Sequence, residues 1–70
     1  MKNARKFILY FGDMEWRFAE HDEEKAREAF YQAVEFAKAV GDILDVSLTL
    51  YDPQFHGELG EHNVLYWERD

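Results

Sequence analysis

Apolar positions in residues 6–19 alternate on both sides of Gly12-Asp13. A two-residue turn with glycine first suits type II′ geometry, whose twist matches the strands it joins. Phe11 then opposes Met14, Leu9 opposes Trp16 and Phe7 opposes Phe18, all on one face. Tyr10/Glu15, Ile8/Arg17 and Lys6/Ala19 take the other face. A slip of one residue destroys this segregation, so the register is well specified. A single bent strand with a bulge at Gly12 is the competing reading, and the hairpin is favoured.

The period then changes. From Glu23 to Val40 the residues Ala26, Ala29, Phe30, Ala33, Phe36, Ala37 and Val40 recur at helical spacing. Asp22 stands where its carboxylate can cap the helix, Glu23 and Glu24 complement the positive end of the dipole, and Gly41 stands where a left-handed cap belongs. Such a helix is about 27 Å long. Its alanines allow close approach to a sheet, while Phe30 and Phe36 are expected to supply most of the burial. Asp45–Tyr51 alternates again, with Val46, Leu48 and Leu50 on one side and Ser47, Thr49 and Tyr51 on the other. Asp52-Pro53 ends that strand, because proline donates nothing to a ladder. A polar loop runs on through Glu61. Val64-Leu65-Tyr66-Trp67 is apolar on both faces, as expected of a strand with neighbours on each side.

The order β-β-α-β-β predicts an α+β fold of two layers, one helix on a four-stranded sheet, in a single domain over residues 1–70. A helix crossing the sheet returns strand three parallel to strand two. A right-handed crossover with the two-faced last strand beside strand one gives the spatial order 2-1-4-3, a β-grasp-like arrangement. The alternative is a fully antiparallel sheet of order 2-1-3-4.

Composition narrows the function. In 70 residues there is no cysteine, which excludes disulfides, thiolate metal sites and cysteine nucleophiles. No apolar run approaches the roughly 20 residues of a membrane span, and no signal-peptide pattern opens the chain, so a cytoplasmic protein is expected. Fifteen acidic against eight basic residues give a net charge of −7, which disfavours direct binding to phosphate backbones. Lys2, Arg5 and Lys6 concentrate positive charge at the start, leaving the rest of the chain more acidic still.

Candidate chemistry is sparse. His56-Gly57-Glu58-Leu59-Gly60-Glu61-His62, with Asp52 and His21 near, holds ligand-type side chains, but its spacing fits no helical zinc motif and its glycines leave the ligands without preorganisation. No metal, no cofactor and no catalytic site is expected: there is no nucleophile elbow, phosphate loop or dinucleotide fingerprint, and one helix on a small sheet offers little concave volume.

Two surfaces remain. The sheet face away from the helix should show Ile8, Tyr10, Tyr51 and either Val64/Tyr66 or Leu65/Trp67, an aromatic patch of the kind that marks an interface. The helix should show Glu24, Glu28 and Glu35 at one angular position, opposite its apolar stripe, with Glu20, Asp22 and Glu23 at its start. Clustered acids here, and seven acids against one arginine from Asp42 onward, point to a protein partner with a basic surface. The expected partner-binding residues are therefore Glu20, Asp22, Glu23, Glu24, Glu28, Glu35, Tyr10 and Tyr51.

In size, charge and layout, with the acidic helix start Asp22-Glu23-Glu24-Lys25-Ala26-Arg27-Glu28 and the aromatic strands Phe7–Phe11 and Val64–Trp67, the chain resembles small phage-encoded inhibitors of the anti-CRISPR and anti-restriction kind. The resemblance implies a non-catalytic blocker in the host cytoplasm that covers the nucleic-acid channel of a defence complex, in some cases by imitating phosphate charge. The basic N-terminal tip departs from a pure mimic. The alternative is a homodimeric accessory or structural domain that uses the aromatic sheet face.

Overall fold

The computed structural model describes residues 5–52 and 61–70. Strand β1 (Lys6–Phe11) and strand β2 (Met14–Ala19) form the hairpin, in the register given by the alternation: Phe11 pairs with Met14, Leu9 with Trp16 and Phe7 with Phe18. Gly12 has φ +60°, a left-handed conformation that a side chain at this turn would strain. A short 3-10 turn (Glu20–Asp22) leads into helix α1 (Glu23–Val40). Strand β3 (Asp45–Tyr51) follows, then β4 (Glu61–Glu68).

The helix ends as the sequence predicts and begins differently. Gly41 closes it at φ +90°, its amide donating to the Ala37 carbonyl at 3.2 Å. Asp22 occupies the N-cap position but its side chain makes no capping hydrogen bond. The 3-10 turn gives Asp22 a φ of −102° and ψ of 30°, away from the extended geometry that aims a cap carboxylate at the helix amides.

The sheet has the order β2-β1-β3-β4, every neighbouring pair antiparallel. This is the 2-1-3-4 alternative, and it replaces the β-grasp-like 2-1-4-3. Strand β4 is therefore an edge strand, and its apolar character on both faces has another cause. Leu65 and Trp67 pair with Leu48 and Val46 and pack against the core, whereas Tyr66, opposite Ser47, is 54% exposed on the outer face. A register shift between Leu48 and Thr49 interrupts the pairing, and Val64 lies at that irregularity, partly buried against the core.

The strand buried on both faces is β1. Phe7, Leu9 and Phe11 face the helix, and Ile8, on the far side, is only 4% exposed. Leu9, Leu48 and Val46 are fully buried, joined by Ala26, Phe30, Ala33, Val34 and Ala37 from the helix. The helix thus sits over β1 and β3, the two central strands. Truncating Leu9 or Leu48 to alanine should cost about 2–5 kcal/mol. Phe36 does not contribute burial as expected. The buried stripe runs through Phe30 and Val34, which leaves Phe36 on the flank and 55% exposed.

Of the histidine-rich segment, residues 56–60 lie outside the described residues, while Glu61 and His62 are in β4, where they pair with Tyr51 and Leu50.

Candidate functional site

One helix cannot cover four strands. Strands are spaced about 4.8 Å apart, and a helix with its side chains is about 10–12 Å across, so it covers roughly two. Helix α1 takes β1 and β3, and the helix-side faces of the two edge strands must be closed by something else or stay open.

On the β4 side they are closed. The Arg69 guanidinium donates to the Ile43 carbonyl at 3.2 Å and to the Ala37 carbonyl in the last turn of the helix, and lies 5.4 Å from the Trp67 ring centre. The Arg69 amide adds a bond to the Leu44 carbonyl at 2.8 Å. A cation at the C-terminal end of a helix is favourably placed against its dipole. Arg69 straps the end of β4 to the end of α1, with Trp67 beneath.

On the β2 side no described residue forms a strap. Phe11, Met14, Trp16, Ala29, Phe36 and Ile43 line a groove of about 590 Å³ between the strand and the helix, with Asp13 and Gln32 adding polar groups to its lining. Phe11 forms its floor, with ring centres 5.9 Å from Trp16 and 5.7 Å from Phe36. Met14 and Trp16 are 47% and 45% exposed although they point to the helix side of the sheet. Such a site offers shape and apolar surface. Covering the exposed half of a side chain of this size contributes about 1 kcal/mol, roughly half the value for full burial.

The predicted acidic residues are distributed unevenly in their electrostatics. Glu20 is bridged to Arg5, whose pKa is raised by that hydrogen bond and charge. Glu23 pairs with Arg27 at 2.9 Å and Glu35 with Lys38 at 3.5 Å, while Asp22 lies 3.8 Å from His21. Glu24 and Glu28 are exposed and have no ion pair among the described residues. Glu28 precedes the groove residue Gln32 by one helical turn, so the two share a face.

The outer sheet face is less open than its sequence suggests. Tyr10 and Tyr51 are half-buried, and the Lys6 ammonium lies 5.3 Å from the Tyr51 ring centre. Ile8 is buried beside Thr49, whose hydroxyl donates to the Ile8 carbonyl at 3.3 Å. Tyr66 is the large exposed group there. Its phenol pKa is raised by partial desolvation and by the nearby Glu68 and Asp45 carboxylates.

Periodicity places Met14 and Trp16 on one face of the hairpin and Phe36 on the apolar stripe of the helix, but it reports the side of an element and not whether anything lies opposite. The signal that finds them is the width argument. No helix among the described residues is long and apolar enough to cross a membrane, and no group of three or more His, Asp or Glu residues among them can hold a metal. No family model matches the sequence, and neither a curated protein nor a solved structure matches it significantly.

Proposed function

We propose that this protein is a non-catalytic binding module that engages a protein partner with a basic surface, anchored in the groove between β2 and α1. The observation that carries the reading is the open groove itself, where Met14, Trp16 and Phe36 stand exposed around Phe11. Exposed aromatic and methionine side chains around a concave apolar site are the usual anchors of an interface. Glu24 and Glu28, without an ion pair among the described residues, on a chain of net charge −7, supply a field that attracts basic partners and repels nucleic acid.

Blocking a basic nucleic-acid-binding surface of a host defence complex is the specific use that the acidity and the resemblance to phage-encoded inhibitors favour. The acidic face is a weaker phosphate mimic than its sequence suggests, because Glu20, Glu23 and Glu35 are each neutralised in place. Apolar anchoring with electrostatic steering fits these residues better than charge imitation alone.

The test is inhibition of nucleic-acid binding by a panel of RNA-guided nucleases and restriction complexes. Wild type should inhibit at least one, Trp16→Ala with Phe36→Ala should release the inhibition, and Glu24→Lys with Glu28→Lys should slow its onset. Failure of the wild type against the whole panel removes the inhibitor reading. Inhibition that survives loss of both Trp16 and Phe36 removes the groove as its site.

A further inference from the structure

Strand β2 is an edge with no bulge and no proline, and its two charges, Glu15 and Arg17, are of opposite sign. Native sheets blunt their edges with bulges, prolines, short strands or inward-pointing charges. The other edge, β4, carries the register shift opposite Leu48 and Thr49. The six residues of β2 run in unbroken register with β1, contain no proline, and are exposed except for the half-buried Phe18.

The hairpin determines which backbone groups are free. A two-residue turn closes on a hydrogen-bonded pair, here Phe11 and Met14. Pairs alternate from there, so Met14, Trp16 and Phe18 bond to β1, while the amides and carbonyls of Glu15, Arg17 and Ala19 point away from the sheet. A second copy placed antiparallel about a two-fold axis can satisfy those groups only if outward residues meet outward residues. An axis through Phe18 pairs only Arg17 to Ala19 at the far end of the strand, which leaves axes through Glu15, Trp16 or Arg17.

Charge selects among the three. Centring on Glu15 sets Glu15 against its own copy, and centring on Arg17 does the same for Arg17. Centring on Trp16 sets Glu15 of each copy against Arg17 of the other, twice. Within one chain the Arg17 guanidinium already lies 3.1 Å from the Glu15 carboxylate on the outer face, so the paired copies would build an alternating array of four charges. On the helix side the same register sets Trp16 against Trp16 and Met14 against Phe18, extending the apolar floor of one groove into the other.

We propose that two copies of this chain pair along β2 in the register centred on Trp16, joining their four-stranded sheets into one. Each copy carries −7, but this repulsion is screened beyond about 8–10 Å at physiological salt, whereas the Glu15–Arg17 contacts are short. The pairing stands apart from the partner-binding reading, because it needs no partner and leaves both grooves on the helix side.

Sedimentation equilibrium of the purified chain tests it. Wild type should be a reversible dimer. Arg17→Glu and Glu15→Arg, each folded by circular dichroism, should weaken it on the order of tenfold, through like charges set directly opposite. An equimolar mixture of the two variants should form a heterodimer, and the double swap Glu15→Arg with Arg17→Glu should restore the homodimer. A second readout needs no substitution: the amides of Glu15, Arg17 and Ala19 should gain protection from hydrogen exchange as concentration rises. A monomeric wild type, a dimer indifferent to single reversals, a double swap that restores nothing, or amides unprotected at every concentration would each overturn the proposal.

Discussion

The two flanks of the helix begin from similar material and end differently. Each edge strand offers apolar residues to the helix side of the sheet, Met14, Trp16 and Phe18 on β2 and Leu65 and Trp67 on β4. On the β4 flank, Arg69 bonds to the helix C-terminal end and covers Trp67, and the strand is blunted by a register irregularity. On the β2 flank a tryptophan, a methionine and a phenylalanine remain about half exposed, and the strand is straight in register. The architecture therefore tolerates closure, and one arginine with one tryptophan achieves it. One helix leaves both edge strands uncovered, and this sequence closes only the β4 flank.

Apart from truncating Trp67 itself, the largest effect in breaking this comparison is expected at the strap. Arg69→Ala removes a charged donor from the Ile43 and Ala37 carbonyls and should lower stability by about 1.5–3 kcal/mol, read from urea denaturation. Arg69→Lys keeps the charge near the helix end but loses the two-pronged donor geometry, so it should recover only part of the loss.

Gly12→Val comes next. An added Cβ at Gly12 meets only Ile43 Cγ1 at 3.7 Å, an ordinary contact, so the penalty comes from φ +60°. A loss of about 1 kcal/mol or more is expected from a branched residue there. Because the hairpin places Met14 and Trp16, the variant should also disturb the groove, seen as a shift in tryptophan emission. An unchanged melting temperature would show that the turn does not need glycine.

The smallest effect on folding is expected from Glu24→Lys with Glu28→Lys. These like charges sit four residues apart on an exposed face, where such pairs matter by a few tenths of a kcal/mol. The fold should be unchanged. Association with a basic partner should slow, and its dependence on salt should flatten, in stopped-flow measurements.

Much of this molecule was legible from its sequence, for physical reasons that also explain the misses. The hairpin register followed from segregation of the pairs Phe7/Phe18, Leu9/Trp16 and Phe11/Met14, and β3 from strict alternation ended by Asp52-Pro53. Sheet order was harder, because both candidate orders leave β3 antiparallel to β1 and running the same way as β2. The two-faced apolarity of Val64–Trp67 favours a central strand, but the same pattern arises from an edge strand with an irregularity at Val64 and an exposed Tyr66. The acidic residues were legible as charges. Two of their partners lie within a helical turn, Arg27 for Glu23 and Lys38 for Glu35, whereas Arg5 reaches Glu20 only because the hairpin brings them together. The groove was the least legible feature, since it exists through what the helix fails to cover.

Comparing Trp16→Ala with Trp67→Ala tests that difference most directly. Both tryptophans point to the helix side of the sheet, one on the open flank and one on the closed flank. Trp67→Ala should lower the urea midpoint substantially, approaching the cost of about 3 kcal/mol typical of truncating a packed tryptophan. Trp16→Ala should leave the midpoint close to that of wild type while weakening self-association. If Trp16→Ala destabilises the fold as much as Trp67→Ala does, the β2 flank is core and the account of it as a docking surface is wrong.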